Sequence, residues 1–228
     1  MKNKLKLCIE KNKELVKRNL SFQNFGNLSI RLSQNEIAIK PSGVNLNILK
    51  IEDIPIININ NNKKISGRLK PSIDTNTHIE IYKRYNEIHS IAHCHSKYST
   101  VWAQACLDIP ILGTTHADFC KKSIPVTDRL RSRQIQNDYE KNIGKSIINK
   151  LKILNLNPKY CPGILVANHG VFSWGINVDQ CIKNMELIEF LAETAFLTKK
   201  LNDVKKISNT LISKHFDRKH GKKAYYGQ

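Results

Sequence analysis

Two histidines one residue apart, His93 and His95, close the segment Ile91-Ala92-His93-Cys94-His95-Ser96. The apolar residues before them predict the end of a buried β-strand. Residues two apart on a strand face the same side. The two imidazoles would then stand together, with Cys94 turned the other way. Imidazole pairs at this spacing suit a first-row divalent metal, zinc first. Taken alone, a His-x-His word also describes two ordinary surface or core histidines. Its weight comes from candidates elsewhere: a third imidazole in Asn168-His169-Gly170, a carboxylate at Asp74, and the polar word Thr114-Thr115-His116-Ala117-Asp118.

Two further words could hold an anion. Lys40-Pro41-Ser42-Gly43 ends a predicted strand. A Ser-Gly turn can aim backbone N–H groups at an anion while a lysine adds charge, and an ordinary strand-ending turn fits the same four residues. Lys70-Pro71-Ser72 repeats part of it just before Asp74. Ser72 or Asp74 is placed to cap the helix that follows, a role that leaves a carboxylate oxygen of Asp74 available to a metal or a substrate.

These residues need elements to hold them. Residues 3–19 carry Leu5, Cys8, Ile9, Leu15 and Val16 at helical spacing. Leu28, Ile30 and Leu32 alternate with polar residues, and Ile37-Ala38-Ile39 reads as the hairpin partner across Asn35. Ile54 to Ile59 predicts another strand, followed by a loop over 60–64. A helix is expected through Glu80, Ile81, Tyr82 and Tyr85, and another from Ser96 through Ala105. Leu130, Ile135, Tyr139, Ile143, Ile147, Ile148 and Leu151 predict one long helix within 128–154. Gly163 to Ala167 reads as a buried strand delivering His169, with Val171 to Trp174 as its hairpin partner. Helices are expected over 178–201 and 203–216. His78 and His89 fall on surface positions in this reading, and His116 has a structural or supporting place. Trp102, Trp174 and the cysteines are packing residues. The sum is a mixed α/β fold without βαβ alternation or a Gly-x-Gly-x-x-Gly word, which excludes a dinucleotide-binding fold.

Length and composition bound the rest. The 228 residues suffice for one substantial core. No apolar run approaches the roughly 18 residues of a membrane span, and no apolar segment follows the basic N-terminus to make a signal peptide. Six dispersed cysteines (Cys8, Cys94, Cys106, Cys120, Cys161 and Cys181) contain no Cys-x-x-Cys pair. They predict reduced thiols in a cytoplasmic protein. The net charge is +18, but the lysines are spread along the whole chain and no basic run is interleaved with aromatics. A nucleic-acid partner is therefore not expected. The charge excess suits attraction of a phosphorylated substrate.

The chain resembles the class II aldolase/adducin-like family, and within it the L-ribulose-5-phosphate 4-epimerase branch. The matching words are Gly26-Asn27-Leu28-Ser29, Lys40-Pro41-Ser42-Gly43-Val44, Pro71-Ser72-Ile73-Asp74-Thr75, His93-Cys94-His95-Ser96, Trp102-Ala103-Gln104-Ala105, Gly113 to Asp118, His169-Gly170, and Arg218-Lys219-His220-Gly221 with Ala224-Tyr225-Tyr226-Gly227-Gln228. They run in order from about residue 20 to the C-terminus.

The resemblance implies a single domain over 1–228 with a mostly antiparallel sheet covered by helices. It implies a homotetramer, with the tail from about 216 to 228 docking on a neighbouring subunit to complete an inter-subunit active site. It implies Zn2+, with Mn2+ or Co2+ as substitutes, held by His93, His95 and His169 with Asp74 close to the metal. Asp118 and Tyr226, the latter from the adjacent subunit, are the implied acid–base pair, and His215 lies near the site. Gly26, Asn27, Ser42, Gly43, Ser72 and Ile73, with Lys40 nearby, would hold the substrate's phosphate. Ile73 departs from the pattern, which usually has a second serine there, so phosphate binding is expected to be weaker. The implied reaction interconverts L-ribulose 5-phosphate and D-xylulose 5-phosphate through cleavage and re-formation of the C3–C4 bond. A class II sugar-phosphate aldolase and a non-catalytic adducin-like assembly module are the alternatives. Asp74 and the Tyr-Tyr-Gly-Gln ending favour the epimerase over an aldolase.

Overall fold

A computed structural model describes residues 1–23 and 25–226. Seven strands form one sheet: β1 (Asn27–Ser33), β2 (Glu36–Ile39), β3 (Ile56–Asn58), β4 (Lys64–Ser66), β5 (Ser90–Cys94), β6 (Gly163–Leu165) and β7 (Val171–Gly175). Their order is β4-β3-β2-β1-β5-β7-β6, with each neighbouring pair antiparallel. The helices are α1 (Lys2–Lys17), α2 (Thr75–Arg84), α3 (Lys97–Ala105), α4 (Thr114–Phe119), α5 (Ser132–Gln136), α6 (Tyr139–Ile153), α7 (Val178–Leu201) and α8 (Asn209–His220).

Side-chain alternation gives the sheet two apolar faces, and helices cover both. Leu28, Ile30, Ala92, Cys94 and Val171 face one core with Leu5 and Cys8 of α1, Trp102 of α3 and Met185 of α7. Ile37, Ile39, Ile57, Ile91, Phe172 and Trp174 face the other with Ile79 and Tyr82 of α2 and Ile143 and Ile147 of α6. Cys94 thus points away from His93, as its strand position requires. A third, small cluster of Ile111, Ala117 and Ile212 joins α4 to α8. Among the described residues no helix is long and apolar enough to cross a membrane.

Four expectations need correction. The pattern within 128–154 is two helices, because Asp138 takes a left-handed backbone (φ 52°) that breaks the run. The last helix starts at Asn209, not 203, where the Ser208 hydroxyl accepts from the Leu211 amide at 3.2 Å. β4 forms where a loop was expected to end, as an exposed edge strand without an apolar face. His78 is wholly buried, because it lies on the sheet-facing side of α2.

Candidate active site

His93 is held by its row in the sheet. On one face, Asn27 of β1 pairs with His93 of β5, which pairs with Phe172 of β7. The imidazole stacks on the Phe172 ring at 4.2 Å between centroids and 15° between planes. Its Nδ1–H donates to the Val171 carbonyl at 3.0 Å. A carbonyl can only accept, so in the neutral ring Nε2 carries the lone pair.

His169 arrives from the turn between β6 and β7. Asn168 bends the chain in the left-handed region (φ 59°), and the Val166 amide donates to the Gly170 carbonyl at 2.8 Å. Gly170 lets this turn sit against β5. A Cβ there would lie 2.6 Å from the Cys94 carbonyl oxygen, 3.2 Å from His93 and 3.3 Å from His95.

His95 lies just past the end of β5, next to Ser96 at the start of α3. Ser96 is the N-cap of α3 but does not cap it with its own hydroxyl. Glu189 of α7 does so from outside. Its carboxylate accepts from the Tyr98 amide at 2.7 Å, the Ser99 amide at 2.9 Å, and the Ser96 and Ser99 hydroxyls at 2.7 Å each. A carboxylate on the exposed first-turn amides also suits the helix dipole.

The three imidazoles converge. His93 Nε2 lies 3.1 Å from Nε2 of His95 and 3.1 Å from Nε2 of His169. Burial lowers the pKa of each ring. His93 is lowered further by the other two, while the charge of Asp74 opposes the shift at His95 and His169. Neutral His93 has one lone pair on Nε2 facing two nitrogens, an arrangement that hydrogen bonds cannot fully satisfy and a shared cation can. Zn–N bonds of 2.0–2.1 Å in a tetrahedral site put ligand nitrogens about 3.3 Å apart, close to this spacing. The donor set therefore fits a divalent metal, and among the described residues these three could hold one within a single compact group.

Asp74 borders that group. It occupies the N-cap position of α2 yet makes no side-chain capping bond. Its buried carboxylate instead accepts from the Asn27 side-chain Nδ2–H at 2.7 Å. Asn27 Oδ1 is buried without a partner. Gly26 adopts φ 114°, and a Cβ there would lie 2.9 Å from the His93 carbonyl. Beneath this layer His78 packs edge-on against Phe172, with Nδ1 2.7 Å from the Ser29 hydroxyl and Nε2 unpartnered. Burial holds its pKa down to about 3.

The two Lys-Pro-Ser words are clasped together. Pro41 and Pro71 form an antiparallel bridge, the Ser42 amide donates to the Lys70 carbonyl at 3.1 Å, and the Ser72 amide donates to the Lys40 carbonyl at 3.0 Å. Those two N–H groups, expected to face an anion, are consumed in the clasp. The hydroxyls of Ser42 and Ser72 and the amides of Gly43 and Ile73 remain as donors near the clasp, the Ser72 oxygen already accepting from the Asp74 amide at 3.3 Å. Gly43 is left-handed (φ 62°) and Ile73 is 70% exposed. Lys40 is buried behind them. Burial lowers its pKa, and the charge of Asp74 opposes that.

Asp118 forms a separate group with the C-terminal helix. Arg218 grips its carboxylate through Nε (3.1 Å) and Nη2 (2.8 Å), and His215 Nδ1 lies 3.2 Å away. Burial raises the Asp118 pKa, but the bonds and charge of Arg218, with His215, outweigh it and the net shift is downward. The Arg218 guanidinium also lies over the Tyr226 ring at 4.4 Å. The amides of Tyr225 and Tyr226 donate back to the Arg218 carbonyl. The segment from 216 is thus the last turn of α8 and a return onto it. Gly227 and Gln228 lie outside the described residues. Asp118 and Tyr226 therefore belong to one assembly within one chain. No hydrogen bond, ion pair or ring contact among the described residues joins that assembly to the three imidazoles.

Three participants were not found from the sequence: Tyr139, whose hydroxyl lies 3.2 Å from His169 Nδ1, Glu189 and Arg218. Only the Arg218 word was visible there, as part of a motif without a role. His116 is buried, with Nε2 bonded to the Lys122 carbonyl at 3.2 Å, the structural place expected for it.

A family model for the class II aldolase and adducin N-terminal domain matches residues 6–196. Among solved structures, an L-fuculose 1-phosphate aldolase superposes with a TM-score of 0.78 at 23% identity, covering 94% of each chain. YgbL of Klebsiella pneumoniae, described broadly as an aldolase, epimerase or decarboxylase, gives 0.73 at 22%, over 94% of this chain and 98% of that one. A sugar-phosphate aldolase of Thermotoga maritima gives 0.69 at 17%, over 88% and 97%. At these identities the likeness shows a shared fold.

Proposed function

We propose, for a chain that belongs to the class II aldolase and adducin family, a metal-dependent L-ribulose-5-phosphate 4-epimerase acting by C3–C4 cleavage and re-formation. The observation that supports the metal-dependent part is the convergence of the three imidazoles, with His93 Nε2 3.1 Å from Nε2 of both His95 and His169. The epimerase assignment rests on Asp74 and on the Tyr225-Tyr226-Gly227-Gln228 ending.

C4 of a ketopentose phosphate is not α to the carbonyl, so direct deprotonation cannot invert it. Removing the C4 hydroxyl proton lets the C3–C4 bond break to glycolaldehyde phosphate and the enediolate of dihydroxyacetone. Turning the aldehyde and re-forming the bond on its other face inverts C4 and returns the proton. His93, His95 and His169 would hold a divalent cation, which would supply positive charge to the oxyanion of the enediolate. Ser42, Gly43 and Ile73, with Lys40 behind them, hold the phosphate. Asp118 and Tyr226 exchange the C4 hydroxyl proton on opposite faces. Because Arg218 binds both in one chain, this reading has the pair move as a unit. Docking of the 216–228 segment on a neighbouring subunit of a homotetramer would bring Tyr226 to that subunit's imidazoles, and α4, tied to the segment through Arg218, would have to approach with it for Asp118 to serve the same site.

The aldolases among the structural neighbours favour a second reading, in which the aldehyde fragment is released. Zinc-loaded protein assayed on L-ribulose 5-phosphate, with and without chelator, separates them. Chelator-sensitive D-xylulose 5-phosphate without free fragments supports the epimerase. Free dihydroxyacetone and glycolaldehyde phosphate support the aldolase. Absence of both products refutes action on this substrate.

A further inference from the structure

We infer that Tyr139 is a positioning residue for the metal centre, fixing the tautomer and ring plane of His169. The inference rests on the metal reading above and goes beyond it to a residue outside the ligand set. Tyr139 opens α6 immediately after left-handed Asp138. Its hydroxyl lies 3.2 Å from His169 Nδ1, and the two rings are 7° from parallel at 6.2 Å. When Nε2 faces a cation, Nδ1 must carry the proton, so His169 donates and the phenol oxygen accepts. A metal-bound histidine generally has its outer N–H held by a carboxylate, a carbonyl or water. Val171 supplies a carbonyl to His93, and Tyr139 supplies a phenol to His169.

The start of α6 is well anchored for this task. The Thr77 hydroxyl of α2 donates to the Glu140 carbonyl at 2.6 Å. Gly144, one turn on, brings the two helices so close that a Cβ there would lie 2.7 Å from Glu80 Cβ and 3.0 Å from the Thr77 carbonyl. The Tyr139 oxygen is thus placed by the packing of α6 on α2, independently of the β6–β7 turn that carries His169. Two rigid parts meet at one hydrogen bond, and the imidazole is aligned between them.

The test is Tyr139→Phe, which keeps the ring and removes only the acceptor. Zinc affinity is read by competition with a chromophoric chelator, and cobalt-loaded protein is read by its visible spectrum. Loss of an outer-shell partner of a metal ligand costs about 10- to 100-fold in affinity. We expect about a tenfold loss, an altered cobalt spectrum, and an unchanged melting temperature of the metal-free protein, which a merely structural role would lower. Affinity within about twofold of the parent would overturn the inference. A second measurement needs no variant: nitrogen-edited NMR of the zinc-loaded full chain should show His169 protonated at Nδ1, and a proton at Nε2 would overturn it. These readouts are independent of the sugar. A parent protein that turns over no sugar phosphate but binds zinc leaves the test intact, whereas a parent that binds no zinc refutes the metal reading and this inference with it.

Discussion

Substituting Gly170 by alanine should damage the metal centre without touching a ligand. The added Cβ would lie 2.6 Å from the Cys94 carbonyl oxygen, about 0.8 Å short of ordinary contact. That oxygen is backbone of β5, a strand hydrogen-bonded on both sides, so it gives little. The turn carrying His169 must move instead, and the His93 and His95 rings at 3.2 and 3.3 Å close the other ways out. Overpacking of this kind costs about 1–3 kcal/mol of stability. Metal sites tolerate about 0.2 Å in ligand distance, and functional constellations about 0.5 Å. A shift near 0.8 Å exceeds both. We expect zinc affinity to fall at least tenfold, equivalent to about 1.4 kcal/mol. The assay is chelator competition on the purified full chain, with Gly113→Ala as the control, since a Cβ at Gly113 meets nothing within 4 Å. Zinc binding by Gly170→Ala within about twofold of the parent would refute the claim that this turn's fit against β5 sets the His169 position.

Other outcomes follow from the same geometry. Ile73→Ser restores a hydroxyl at the anion rim. A hydrogen bond to a charged group contributes about 1.5–3 kcal/mol, and because the site is 70% exposed we expect the low end, a KM about tenfold lower; an unchanged KM would show that the side chain at 73 does not reach the phosphate. Asp118→Asn should cut epimerisation by at least 100-fold while leaving zinc affinity intact, because among the described residues no hydrogen bond, ion pair or ring contact joins the Asp118 group to the imidazoles; full activity would remove Asp118 from the mechanism. His116 is buried neutral, with its pKa lowered to about 4 from an ordinary 6.5. The unfolded chain takes up that proton first, so its contribution is complete above pH 6.5 and is lost as pH falls toward 4. His116→Gln should therefore flatten the acid loss of stability in this window, by up to about 3 kcal/mol at pH 4; parallel denaturation curves for the two proteins across the window would count against it.

Much of the fold could be read from periodicity. The β1–β2 hairpin alternates, β6 and β7 stand out as short apolar runs and α7 as a long apolar-rich stretch, and their bounds were expected almost as found. β4 was missed because its three residues are all exposed, so no apolar face marks it. The α5–α6 break was missed because apolar spacing continues through it, and Asp138 gives no local sign of its left-handed backbone. The three imidazoles were legible because ligand chemistry restricts residue type and strand geometry restricts spacing. Their supports were not. Glu189 caps a helix about 90 residues earlier in the chain, and Tyr139 looks like any apolar-face tyrosine. Asp118 was legible as a residue, but its grip by Arg218 depends on α8 folding back 100 residues later.

The borrowed cap of α3 also bears on the order of folding. A helix capped by its own serine can begin forming from local interactions alone, but α3 draws its first-turn acceptor from α7, 93 residues distant from Ser96. Closing a loop of that length must precede the gain. The start of α3, and with it the backbone next to His95, therefore becomes ordered only once α7 has docked on the sheet. The imidazole cluster is then a late product of folding, and metal captured earlier would meet two or fewer of its ligands in register. Zinc added during refolding should leave the main folding rate unchanged and act afterwards, by slowing unfolding.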